Sequence, residues 1–533
     1  MEKPQPSVEF HRFGEAPLVK LLGLERTHGL SLPEQPKDPF RQLAYIEKYL
    51  SDQEIACRSV LVERYYIDRD HMEDHSVFYS RSLHAYENWC QRVHFFSEEP
   101  DFVESELARL LQVGRARFES ECSNFSKKYY CGFSVIKPLS GSPVGRTVLL
   151  PYGPTKSDSS LRDFPCVRPY KAHVLGVELT VHGLGFQQQD LGVSACATTA
   201  IWSSLQQFRA FEDIGTAMPA QITKLASQHA LPFGRSMPSE GLSVDQMCMA
   251  IEGLGMAPSL LRASQFETAR SYIYSATRSG FTPVLILKMK EAPPLCHAVA
   301  VVGLNVRTQR PFGSFIGNVQ AGTDDQSVKL IGLYVHDDRN GPYLRANIKM
   351  GPKNQLLLTT DVMRDGRFVE EWELTHVLIP SYSKIRLSFS GLRTVALGLS
   401  QAVNAFRQVA LQLSGPEAST EDDRNAGAVP DLTVVFETWI QRCHSYNEDL
   451  IFNENGVENE TIKRFLTTLH LPRYLGVIRL SAPFFGIIDV LVDTTSTLSN
   501  LHFVGIVRRG RMAVHTVAIA KHLSHEGRTP FVI

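Results

Sequence analysis

The chain has 533 residues, 43% of them apolar and 21% charged, with a formal net charge of -1. That length argues for several domains, each with enough apolar material for its own core, and the near-zero charge excludes any global electrostatic case for nucleic acid or an anionic membrane as partner. No stretch reaches the ~18 apolar residues that cross a bilayer. The start, MEKPQPSVEFHRFGEAP, lacks the apolar core of a signal peptide, so a cytoplasmic protein is expected. The nine cysteines are scattered and odd in number, with no Cys-x-x-Cys pair. They read as reduced thiols, with neither a disulfide framework nor a structural metal expected.

In chain order, residues 1–130 read as a mostly helical region. FRQLAYIEKYLSDQ and FVESELARLLQVGRARFESECSNFSKKY space their apolar residues at three and four. Between them YIDRDHMEDH places His71 and His75 at i,i+4, a spacing that can hold a metal. A solvated, salt-bridged helix face is the preferred reading there. Residues 131–186 form a β-rich connecting segment: GFSVIKPL and RTVLLPY as strands, HVLGVELTVHGLGF as a hairpin or two short strands.

Residues 187–413 carry three helices and then strands. The helices are the run after Cys196, PAQITKLASQHAL, and LSVDQMCMAIEGLGM. The last opens with Ser243 as N-cap and Gln246 three residues on, a capping-box pattern. PVLILKM, HAVAVVGLNV and KLIGLYVHD are strands rich in Val, Ile and Leu. The polar, Gly-rich residues 306–328 form an excursion between two paired strands. HVLIPSYSKIRLSF continues as strand and TVALGLSQAVNAFRQVALQL as helix. Residues 414–431, SGPEASTEDDRNAGAVPD, are a linker. Residues 432–533 form an α+β domain, with a helix over VVFETWIQRCHSYNEDL and strands at LGVIRLS, IIDVLVDT and LHFVGIVRRG.

Three residues stand out chemically. Cys196 lies in the first turn of CATTAIWSSLQQF, where free backbone N–H groups and the helix dipole favour a thiolate and can donate to an oxyanion. The alternative is a small buried residue. His297 opens the apolar strand HAVAVVGL, where it can exchange a proton with a thiol. The alternative is a satisfied, half-buried histidine, and its neighbour Cys296 alternates to the other face. Asp337, in LYVHDDRNG, ends a strand and can accept from an imidazole N–H. The alternative is a turn-forming pair with Asp338. His336 points to the opposite face.

QQQD followed by SAC, then GLSVDQMCMAIEGLGMAP, HAVAVVGLN and YVHDD, together resemble the papain-like cysteine peptidase superfamily. The likeness is nearest to the double-glycine-leader (bacteriocin-processing) peptidase branch and covers residues 187–345. It implies an α+β fold with a papain-like core, a helix bundle packed on an antiparallel sheet. By this resemblance Cys196 is the nucleophile, His297 the acid/base and Asp337 its orienter, while Gln189 hydrogen-bonds the oxyanion. The position six before the cysteine, where the family carries that glutamine, is Asp190. The implied activity is cleavage of peptide or isopeptide bonds through a thioester, without cofactor or metal, on a protein or peptide substrate. A partner protein held by the flanking domains is compatible with it. The same triad could transfer the acyl group to an amine, or the scaffold could be a non-catalytic interaction module.

Overall fold

The computed structural model describes residues 7–24, 40–82, 85–139, 141–153, 159–190, 195–210, 217–228, 241–289, 296–308, 323–361, 369–413, 434–452, 459–482, 486–509, 523 and 531–532. The chain is mixed α and β. It divides into two compact units interleaved in sequence: residues 1–264, 280–306 and 331–380, and residues 265–279, 307–330 and 381–533. These differ from the sequence-based domain boundaries, since the helix that ends the 187–413 segment belongs to the second unit. The linker expected at 414–431 lies outside the described residues.

The first unit opens on a five-stranded sheet in sequential order: β1 (Val8–Arg12), β2 (Ser59–Tyr66), β3 (Cys90–Phe96), β4 (Tyr130–Ile136) and β5 (Val144–Leu149). Every pair is antiparallel. The region before residue 130 is therefore not helical throughout. SVLVERYY and CQRVHFF are dense in β-branched and aromatic residues, which suit a pleated, half-buried surface. The expected helices do form. After the short α1 (Leu18–Leu21), α2 (Arg41–Leu50) buries Leu43, Ile46 and Leu50, three and four apart. α3 (Arg69–Val77) carries the His71/His75 pair. α4 (Pro100–Leu111) starts with Pro at its first position and buries Val103, Leu107 and Leu110. α5 (Arg115–Tyr129) follows.

After the short β6 (Ser160–Asp163), β7 (Arg168–Val174) and β8 (Val177–Gly183) form the expected hairpin, with strictly alternating burial on β7. Its two-residue turn, Leu175–Gly176, has φ of 51° and 82°. Two positive φ values match the twist of a tight hairpin, and Gly at the second position keeps the strain on Leu175 alone.

Three helices come next: α6 (Cys196–Leu205), α7 (Pro219–Ala226) and α8 (Val244–Gly253). At α8 Ser243 Oγ accepts the Gln246 N–H at 3.2 Å and the Gln246 side chain returns the bond at 3.0 Å, completing the capping box. Then come β9 (Ala257–Arg262), α9 (Phe266–Arg278), β10 (Val284–Met289), β11 (Cys296–Arg307), β12 (Thr323–Asp325), β13 (Leu330–Asp337), β14 (Gly341–Met350), β15 (Leu356–Asp361) and β16 (Val369–Ser381). The order β10-β11-β13-β14-β15-β16 closes on itself because β16 also pairs with β10. Closure makes a six-stranded barrel and leaves no open edge in it. β9 extends the sheet from β16, and β6 from β11. β11 and β13 are neighbours, as expected for strands flanking an excursion.

The second unit is built on a six-stranded sheet of β12 with β17 (Val434–Arg442), β18 (Tyr474–Ala482), β19 (Gly486–Asp493), β20 (Phe503–Arg508) and β21 (Phe531–Val532). α9 and α10 (Phe389–Leu413) pack on this sheet. VVFETWIQR, expected as helix, is strand β17, and only Cys443–Ile451 is helical. Its fully buried Asp489 takes both Arg479 and Arg509 and the Tyr446 hydroxyl, which satisfies a charge that would otherwise be prohibitive inside a core. Among the described residues no helix is long and apolar enough to cross a membrane.

Candidate active site

α6 is apolar nearly all round. Every residue from Ala197 to Leu205 is buried, whereas Cys196 at its first position is only partly so. A helix of this kind belongs to a core, and the cysteine marks the end where that core opens. Trp202 anchors it: a Cβ on Gly185 would meet the indole at 3.0 Å, so glycine there lets the ring pack close against the backbone. Ala195 precedes the helix and has no side-chain acceptor. Thr198 Oγ1 takes the Ala195 N–H at 3.4 Å, and Thr199 Oγ1 donates to the Cys196 carbonyl at 2.9 Å. The Cys196 and Ala197 N–H groups have no acceptor within the helix, as at any helix start.

His297 is the second residue of β11 and is paired across the ladder with Leu287 of β10. It is buried, whereas Cys296 beside it is exposed, so the alternation of the strand places the imidazole inward. Its Nε2 lies 2.8 Å from Asp337 Oδ1, and the thiol of Cys196 lies close enough to the same ring to raise its pKa. With Nε2 occupied by Asp337, Nδ1 is the nitrogen left for the thiol. Burial alone would lower the imidazole. The charge and hydrogen bond of Asp337, then the Cys196 thiol and the charge of Asp338, instead hold it well above its ordinary value.

Asp337 ends β13, where the ladder to β14 shifts register between Val335 and Asp337. Its Oδ1 also accepts the Arg339 N–H at 3.0 Å, and its Oδ2 the Asn340 side-chain amide at 2.6 Å. Burial would raise this carboxyl, but His297, Arg339 and Asn340 hold it well below the usual carboxylate range. The turn is clamped from α2. Gln42 Nε2 donates to the Asp338 carbonyl at 2.8 Å, and the Tyr45 ring lies where a Cβ on Gly341 would be, at 2.1 Å. Over the imidazole stands Trp372 of β16, 3% exposed, with ring centroids 5.4 Å apart. Its indole N–H donates to Glu370 at 3.3 Å, and the Arg339 guanidinium lies 5.4 Å from its ring. This cover keeps water from the His297–Asp337 bond.

The structure thus brings together Cys196, His297 and Asp337. Gln189 is half-buried on the approach to α6. Asp190 is tied elsewhere: it accepts from the Tyr79 hydroxyl and lies 3.7 Å from the Lys137 ammonium, with both charged side chains 5% exposed. His336 is neutral and structural. It donates from Nε2 to the Leu184 carbonyl, accepts the Tyr343 N–H at Nδ1, and burial pushes it down to about 3. The His71/His75 pair does not lie on a solvated face, because α3 buries Asp70, His71 and Asp74. Each ring is met by a backbone carbonyl, of Glu87 at 2.9 Å and of Tyr86 at 3.0 Å.

Sequence reasoning missed Asn340, Gln42, Tyr45 and Trp372. Asn340 alone left a local signal, as part of DDRNG. The others reach the site only through tertiary packing. No family model matches this chain, and no curated protein matches it significantly.

Proposed function

We propose that the protein is a cysteine hydrolase of papain-like type that cleaves peptide or isopeptide bonds through a thioester on Cys196. The observation that carries this reading is a single imidazole, His297, bonded to a buried carboxylate and set beside a thiol at a helix start. Proton transfer from Cys196 to His297 gives a thiolate–imidazolium pair, with Asp337 fixing the ring and stabilising its charge. The thiolate attacks the acyl carbon. The carbonyl oxygen becomes an oxyanion facing the Cys196 N–H, which the helix leaves unsatisfied. His297 then protonates the leaving amine, and the C–N bond breaks to give a thioester. Water, deprotonated by the same ring, attacks the thioester, releasing the acid and the thiol. Gln189 is assigned to the oxyanion by resemblance.

The test is iodoacetamide labelling of Cys196 across pH 5 to 9, read by mass spectrometry, in the parent and in His297→Ala. Rapid labelling near pH 6 that His297→Ala abolishes is the expected result. Labelling no faster than that of the exposed Cys296, with no dependence on His297, would remove the basis for this function.

A further inference from the structure

The His297–Asp337 pair has a third group beside it that the proposed chemistry does not use. Asp338 is 4% exposed, and both of its carboxyl oxygens are buried with no hydrogen-bond partner. Its Oδ1 lies 3.8 Å from His297 Nε2. A buried carboxylate that nothing satisfies is costly in any fold. One donor atom from each of His297, Asp337 and Asp338 falls within 4.8 Å of the others, and among the described residues they are the one such group of three potential metal ligands.

We propose that His297, Asp337 and Asp338 form a Zn²⁺ site, and that a cation held there switches the Cys196 nucleophile off. Tetrahedral zinc with bonds of about 2.0 Å sets neighbouring ligand atoms about 3.3 Å apart. The separations from His297 Nε2, 2.8 Å to Asp337 and 3.8 Å to Asp338, straddle that value, and all three donor atoms lie within 4.8 Å of one another, so small side-chain rotations can bring them onto one ion. The charges also match, since two carboxylates and a neutral imidazole neutralise a divalent ion. An imidazole with two carboxylates suits zinc, whereas calcium needs six to eight oxygens.

Binding exchanges one ion for protons. Nε2 loses its proton to solvent, and the N–H bond to Asp337 is replaced by metal–nitrogen and metal–oxygen bonds. A ring ligated at Nε2 cannot become the imidazolium that holds the Cys196 thiolate. The binding stands on the geometry alone; only the switching rests on the hydrolase reading.

The experiment uses the full chain stripped with a chelator. Zn²⁺ equivalents are counted by equilibrium dialysis in the parent, Asp338→Asn and His297→Gln, and Cys196 labelling is timed with and without Zn²⁺. The parent should hold one equivalent more than either variant, because zinc at unrelated sites cancels in the comparison. Zinc should slow labelling at least tenfold in the parent, reversibly with chelator, and not in Asp338→Asn. Equal equivalents in all three proteins would overturn the site. Co²⁺ added to the parent gives a measurement that needs no variant. A tetrahedral visible spectrum without a thiolate charge-transfer band is expected, while such a band would make Cys196 the ligand and overturn the assignment. Slow, His297-independent labelling of the metal-free parent would instead sink the hydrolase reading and leave the zinc count untouched.

Discussion

Oδ1 of Asp337 lies 2.8 Å from Nε2 of His297 and accepts the Arg339 backbone N–H at 3.0 Å as well. One carboxylate therefore starts the turn after β13 and orients the imidazole at the start of β11. The hydrogen bonds of the turn hold the carboxylate in place independently of the histidine.

Asp337→Asn tests the charge rather than the geometry, since an amide oxygen can still accept from Nε2. Asp337 is the main influence that keeps the imidazolium charged against burial. Without it burial dominates, and the ring loses its proton at lower pH. The alkaline limit of the reactive ion pair should move toward acid. Labelling of Cys196 near pH 7 should fall by about 10²-fold or more. A pH–rate profile for alkylation checks this, and an unshifted profile would show that Asp337 only holds the turn.

Asp338 makes the opposite prediction for stability. Burial pushes its carboxyl up to about 7, with Asp337 adding to the rise and His297 opposing it. A raised carboxyl binds its proton more tightly in the fold than in the unfolded chain, so the fold loses stability as pH rises from about 4 to 7. Asp338→Asn abolishes that loss. In chelator, the variant should gain on the parent at pH 8 relative to pH 5 by at least about 1 kcal/mol, or roughly 1–2 °C in Tm. Thermal melts at the two pH values measure the difference, and an equal offset at both would refute the raised carboxyl.

Much of this site could be read locally. Cys196 stands before a helical pattern, and His297 interrupts a strand that is otherwise apolar. Asp337 is separable from Asp338 in sequence because it stands where the strand pattern stops. In the fold Asp337 both starts the turn and orients the imidazole, and the Asp338 carboxyl is left unpartnered. Gln42 and Trp372 left no signal. Gln42 reaches its carbonyl across 296 positions of sequence, and Trp372 covers His297 only because β16 closes the barrel onto β10. VVFETWIQR misled for a related reason. Its apolar residues at 434, 435, 436, 439 and 440 fit a helical face, but a strand buried on both sides has no alternation to betray it.

Gly341 and Tyr45 give a test of the clamp on the turn. A methyl at Gly341 would fall 2.1 Å from Tyr45 Cδ1, so either the ring or the turn must move. Gly341→Ala should cost about 1–3 kcal/mol, as overpacking does. It should also slow Cys196 labelling, because Asp337 moves with the turn. Tyr45→Leu combined with Gly341→Ala should recover part of both losses. Denaturant melts and alkylation rates on the three variants check the coupling, and additive losses would show that the contact does not position the site.

The last prediction concerns the charge cluster on the approach to α6. The Lys137 ammonium lies 3.7 Å from Asp190, with both side chains 5% exposed. It also opposes the rise of Asp74, whose carboxyl is pushed up to about 8, chiefly by burial and with the charges of Asp190 and Asp70 adding to the rise. Lys137→Met removes the cation and leaves these acids buried without it. The cost should be about 3–5 kcal/mol at pH 8, the range for breaking a buried pair by removing one partner. It should shrink below pH 6, where Asp74 carries its proton and adds no negative charge to the cluster. Adding Asp190→Asn should restore part of the loss, because a neutral amide no longer needs the ammonium. Chemical denaturation of the single and double variants at both pH values measures this. A loss equal at the two pH values would mean that Lys137 contributes packing rather than charge.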